Sequence, residues 1–205
     1  MVCDTFDTAC ALEIAKTLPG FFTAGAAIFG AWVAKKGLDK WKVETVGKRR
    51  AELAEQTLVL VYEARDVLKL ARSSGLSHTR TPAEDESPVN RELLDRLHSP
   101  IELLIARSEL FAKLHTQTYP FAAVFGQESV QPLRDLISLR EEIWHAAITL
   151  SSQLSAGSFS PEAPQMSAAI FGKVGDEFDT RLNEAVESIE QICRKALTSE
   201  ERPAG

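Results

Sequence analysis

The run Glu142, Ile143, Trp144, His145 comes nearest in this chain to a catalytic or metal-binding signature. A Glu-x-x-His step places a carboxylate and an imidazole on one helix face. Carboxylate-bridged di-metal bundles hold their ions this way, but they need the motif on two helices and a further Glu on each of two others. Only one copy is present. At about 100° per residue from Leu133, the apolar positions of this helix, Leu133, Leu136, Ile137, Trp144, Ala147, Ile148 and Leu154, centre at about 330°. Glu142 and His145 fall about 150° away, on a face expected to meet solvent or a partner. His98 and Glu102 are also four apart, but they straddle Pro100 and read as a surface pair. The remaining histidines, His78 and His115, are scattered, and no Ser or Cys sits in a nucleophile elbow or a Gly-rich phosphate loop. Cys3, Cys10 and Cys193 have neither metal-ligand nor disulfide-framework spacing. The expectation is a chain with no catalytic, metal or cofactor residues, and not an enzyme.

Charge and hydropathy are organised more sharply than the chemistry. Residues 18–34 (LPGFFTAGAAIFGAWVA) carry no charge and only Thr23 as a polar side chain, and Lys35, Lys36, Lys40, Lys42, Lys48, Arg49 and Arg50 follow at once. The net charge of −6 divides into −2 for residues 1–34, +5 for residues 35–50 and −9 for residues 51–205. An acidic body repels phosphate, which excludes nucleic acid as a partner of the main domain. A basic collar beside an apolar segment suits anionic lipid headgroups, at about 1 kcal/mol per basic residue. These seven cations are therefore the expected lipid-headgroup contacts.

Residues 18–34 would make a helix of about 25 Å, slightly short of a hydrocarbon core of about 30 Å. Starting at Thr17 and letting Lys16 and Lys35 snorkel supplies the difference, with Trp32 and Trp41 near the headgroups. A cleaved signal would need a basic start, whereas Asp4, Asp7 and Glu13 make this one acidic. The expectation is a transmembrane helix with its N-terminus outside and everything after Lys35 in the cytoplasm. Ala26, Gly30 and Ala34 recur at every fourth position, a small-residue face along which two such helices could associate. General enrichment of Ala and Gly in a weak anchor accounts for the same pattern equally well.

Beyond the collar, every segment is patterned for helix. Residues 38–71 contain no proline, and Val46, Leu53, Leu60 and Val67 repeat every seventh position with Val43, Ala64 and Ala71 as companions. Arg50 and Thr57 interrupt that seam, while Ala54, Leu58, Val61 and Leu68 widen it, so a bundle helix fits better than a dimeric zipper. A second helix is expected over about 88–118, broken or kinked at Ser99 and Pro100. A third covers about 129–155 and a fourth about 165–197, with Ile170, Val174, Phe178, Leu182, Ala185 and Ile189 inward. Residues 73–88 and 156–164 read as loops, and residues 119–126 as a connection whose aromatics could touch the membrane interface. Tyr62 and Arg65 are placed at the edge of the seam, to hydrogen-bond an acidic residue such as Glu109.

The expected fold is thus all-α, an N-terminal transmembrane helix continuing into an up-and-down antiparallel helical bundle. Its parts are an anchor over 1–36, a first bundle helix over 37–72, a mobile loop over 73–88, the other bundle helices over 89–198 and a disordered tail over 199–205. The anchor, the GKRRAELAEQTLVLVYEARD helix and the closing FDTRLNEAVESIEQICRKAL helix resemble uncharacterised bacterial single-pass membrane proteins, a group with no assigned activity. That resemblance implies the bacterial inner membrane. The function expected is a non-enzymatic scaffold that recruits an unidentified protein partner, with an oligomeric membrane-active or channel-accessory subunit as the alternative and an unrecognised enzyme third.

Overall fold

The computed structural model describes residues 6–73, 88–158, 160–173 and 175–198, and gives the course of the backbone alone at residues 6–28, 39, 88 and 89. All regular structure among the described residues is helical. The elements are α1 (Phe6–Ala71), α2 (Pro88–Ala106), α3 (Ser108–Phe125), a 3-10 turn (Gln127–Val130), α4 (Gln131–Ala156), α5 (Ala163–Ile170) and α6 (Glu177–Thr198). The chain divides into two units, residues 1–48 and 49–205, and α1 contributes to both.

In the first unit the described side chains are exposed, Phe29, Trp32, Leu38, Trp41, Val43 and Val46 among them, apart from half-buried Gly47. No helix among the described residues is long and apolar enough to cross a membrane. The expected transmembrane helix therefore finds no support here. Of residues 18–34, only 29–34 have described side chains, and six residues cover about 9 Å of helix before the first lysine. Ala26 and the rest of the expected anchor lie outside the described side chains, as do most of residues 73–88 and the tail from residue 199.

The second unit is an antiparallel bundle, and paired contacts set its directions. Along α1, Arg50, Thr57 and Glu63 meet Val124, Gln117 and Arg107, so α3 and its leading turn run against α1. Tyr62, Lys69 and Arg72 meet Glu190, Asn183 and Asp176, so α6 does too. Arg181 of α6 reaches Glu142, joining α6 to α4, and Arg140 of α4 stacks over Phe111 of α3. Val61, Leu68, Leu114, Phe121, Leu133, Leu136, Leu182 and Ile189 fill the centre with almost no exposed surface. A smaller core adjoins it, built by Leu97 of α2, Ala146, Ala147 and Leu150 of α4, and Ala169 and Ile170 of α5. α4 supplies both.

Three expected boundaries need correction. Helix α2 runs through Pro100, because Ser99 and Pro100 are buried and packing holds the turn despite the missing N–H; the break falls at Arg107. Residues 119–125 are helical, with Phe121 in the core rather than at a surface, and α3 ends at Gly126, whose φ of 96° favours glycine. The fourth helix is two, separated by residues 171–176, where Gly175 has φ 85°.

On α1 the deepest burial shifts within the expected face, and on α4 the buried face is turned from its expected position. On α1 the buried line is Ala54, Val61 and Leu68 with Thr57, Ala64 and Ala71, while Val46 is exposed and Leu53 and Leu60 are half-buried. The reason is that α1 meets both α3 and α6, so its covered arc widens toward both. Thr57 is accepted there because its hydroxyl donates to the Leu53 carbonyl at 2.7 Å and accepts from Gln117 at 3.0 Å. On α4 the buried residues are Leu133, Leu136, Leu139, Ile143, Ala146, Ala147, Leu150 and Ser151, about 40° from the expected centre. Trp144 is half-buried at the core's edge and Ile148 is exposed, because the smaller core draws the Ala146 side inward.

Candidate functional site

The residues whose spacing suggested chemistry are not brought together. Glu142 is half-buried and its carboxylate takes Arg181 at 3.0 Å, while His145 is exposed. His98 is half-buried and Glu102 exposed. Among the described residues no group of three or more His, Cys, Asp and Glu could hold a metal ion. Tyr62 does hydrogen-bond an acid, but the acceptor is Glu190 of α6 at 2.9 Å; Glu109 is instead paired with Lys113 one turn on, at 2.8 Å. Burial, then the Glu190 carboxylate, raises the Tyr62 pKa above the ordinary phenol value. Arg65 lies over the Tyr62 ring and pairs with Asp66. Cys193 is fully buried, and burial alone pushes its thiol up to about 11, so it is a core residue and a poor nucleophile.

On α1, Gly30 and Ala34 are exposed, and a Cβ on Gly30 would meet nothing within 4 Å. Lys36 lies over the Trp32 ring at 5.1 Å, and Lys40 pairs with Glu44 at 3.9 Å. Arg50 belongs to the bundle instead: it donates to the Val124 carbonyl at 3.3 Å and covers the Phe125 ring.

The most highly organised polar site in the second unit is one that helical periodicity does not reveal. Arg72 follows the last residue of α1, and its guanidinium is buried between α5 and α6. Nε donates to the Ala169 carbonyl at 2.8 Å, Nη2 to the Ala168 carbonyl at 3.0 Å, and Nη1 and Nη2 grip the two oxygens of Asp176 at 3.2 and 2.5 Å. The same group lies 4.1 Å from the Phe178 ring centroid. Asp176 in turn caps α6, its Oδ1 accepting the Asp179 N–H at 2.9 Å, and hydrogen bonding to Arg72 holds its carboxyl below the usual range. Three helix ends are thereby fixed by one side chain. Gly172 leaves room for this arrangement, since a Cβ there would fall 1.5 Å from Arg72 Nη2 and displace the guanidinium.

Part of this junction has a sequence signature. Asp176 with Asp179 three positions later, just before an apolar-periodic run, is a helix-start pattern, and a cation at the end of α1 suits that end of the helix dipole. Nothing local links the two, which stand 104 positions apart. Elsewhere an open groove of about 250 Å³ lies between α4 and α6, lined chiefly by Asp135, Ser138, Leu139, Arg181, Glu184 and Ser188. Its walls are mostly polar, unlike the apolar enclosure of a small-molecule site.

No protein-family model, curated protein or solved structure matches the chain.

Proposed function

We propose that the chain is a non-enzymatic, membrane-tethered helical module that holds a protein partner at the bacterial inner membrane. The reading takes residues 18–34 as the tether, the N-terminus as external and the unit from Arg49 onward as the cytoplasmic interaction body. The observation that carries it is the distribution of cations along α1, which is continuous from Phe6 to Ala71. At about 100° per residue, Lys36 and Lys40 fall on one side of the helix, Lys35, Lys42 and Arg49 on a second and Lys48 on a third, roughly 100–140° apart. A helix lying in the plane of the interface segregates its charges to one face; a helix passing through the headgroup layer can present them all round. Exposed Trp32 and Trp41 bracket the start of this collar, as interfacial aromatics do.

The test is fractionation of the full chain against a variant lacking residues 1–36. The full chain is expected in the membrane pellet and to resist high salt, and the shortened chain in the soluble fraction with its helical circular dichroism retained. In intact cells an impermeant thiol reagent should reach Cys3 or Cys10 and spare Cys193. A full chain that leaves the pellet in high salt would reduce the tether to surface electrostatics. The channel-accessory reading draws on the uncovered Gly30 and Ala34 face, and vesicle leakage distinguishes it.

A further inference from the structure

The junction at Arg72 recognises a particular stretch of five residues. In residues 168–172, Ala-Ala-Ile-Phe-Gly, each position has an assigned contact. The Ala168 and Ala169 carbonyls, left free in the last turn of α5, accept the Arg72 guanidinium. Ala169 and Ile170 are buried in the smaller core, with Leu97, Ala147 and Leu150. The Phe171 ring lies under Arg96 at 5.4 Å. Gly172 leaves the space that Arg72 occupies. The bundle therefore contains a receptor for this pentapeptide, filled by its own α5.

The identical pentapeptide occurs a second time, as residues 26–30. There, among the described residues, the contacts that these features make in the bundle are not made. The Phe29 side chain is exposed, and no neighbour requires glycine at position 30, although glycine weakens a helix relative to alanine. In each copy the receptor is filled by that copy's own α5, and the partner considered for residues 26–30 is the receptor of another copy of the chain.

We propose that residues 26–30 of one copy occupy the α5 site of a second copy, displacing residues 168–172 and ending α1 at Gly30 as α5 ends before Gly172. Arg72 then donates to the carbonyls of the incoming Ala26 and Ala27, the incoming Ile28 fills the place of Ile170, and Arg96 covers the incoming Phe29. This is an exchange of equivalent elements between copies, which preserves the native contacts of the site. It does not rest on the membrane reading. A segment held in lipid is not free to dock, so the docked form belongs to chains off the membrane and competes with insertion.

The test uses two preparations of the full chain in mild detergent, each with Cys3, Cys10 and Cys193 replaced by Ala. One carries Phe29→Cys and the other Arg96→Cys, the second both with and without Ile170→Ser to loosen its own α5. Phe171→Cys with Arg96→Cys in a single chain serves as the geometric control. Oxidation of the mixture is expected to give a disulfide-linked dimer of the two preparations, several-fold more abundant with Ile170→Ser. Adding Gly30→Leu to the Phe29→Cys copy should abolish it, because a side chain there meets Arg72. Gly30→Leu leaves an apolar anchor apolar, so membrane fractionation of that variant reads the tether separately. Absence of the mixed dimer in both preparations while the control closes, or a dimer insensitive to Gly30→Leu, would overturn the proposal.

Discussion

The two cores of the bundle are held by different means. The larger one is filled by apolar side chains from five helices, with Phe121, Leu68, Leu114, Leu136 and Ile189 almost wholly buried. The smaller one has mainly Ala, Leu97, Leu150 and Ile170, and a helix of eight residues as one wall. A helix that short is marginal by itself. What fixes α5 is the guanidinium of Arg72 on its last carbonyls. Burial of apolar area thus holds one region, and a single satisfied polar junction positions the other.

The largest effect should come from the first region. Phe121→Ala removes a fully buried ring and should cost about 3–5 kcal/mol, lowering the denaturation midpoint of the whole unit. If the cost were near zero, apolar burial would not be what distinguishes the larger core. Arg72→Gln comes next, at about 3 kcal/mol, since it leaves Asp176 without its cation and two carbonyls without a donor. Its signature should be local, with amide exchange quickened in α5 and the start of α6 well before the centre of α4. Uniform loss of protection would erase the contrast between the two cores.

The junction also has a defined pH response. The folded Asp176 carboxyl lies below its ordinary value, so its contribution is complete above about pH 3.9 and is lost as pH falls through the depressed value. Acid titration of stability should show this loss in the wild type and not in Asp176→Asn. The smallest effect is Tyr62→Phe, which removes one hydrogen bond to Glu190 and should cost about 1 kcal/mol. The raised phenol makes that contribution present below about pH 10 and lost as pH rises through the folded-state value. A stability difference between the wild type and Tyr62→Phe that stays constant as pH rises through that range would contradict the assignment.

Helical periodicity made the all-α bundle legible, because apolar side chains at three- and four-residue spacing must find a covered face. Which side of α1 and α4 is most deeply buried was less legible, since each helix serves more than one neighbour and its pattern averages over them. Pro100 and Pro120 misdirected the boundaries: local rules price the lost N–H, while burial of Ser99, Pro100 and Phe121 offsets it through packing. The pair Glu142 and His145 was set aside on the sequence itself, because a shared helix face does not supply a second ligand helix. Arg72 escaped notice, being one cation at a helix end whose partners lie about a hundred positions further on.

The long sequence separation of the closing contacts bears on how the chain emerges during synthesis. Tyr62 and Glu190 are 128 positions apart, and the two helices they join are the first and last of the bundle. At about 5–20 residues per second, a ribosome needs on the order of 6–25 seconds to move from one to the other. Val61 and Leu68 have no α6 to cover them for that interval, while the N-terminal segment has already left the ribosome. Any commitment of that segment, to lipid or to another chain, is therefore open to it before its own bundle can close.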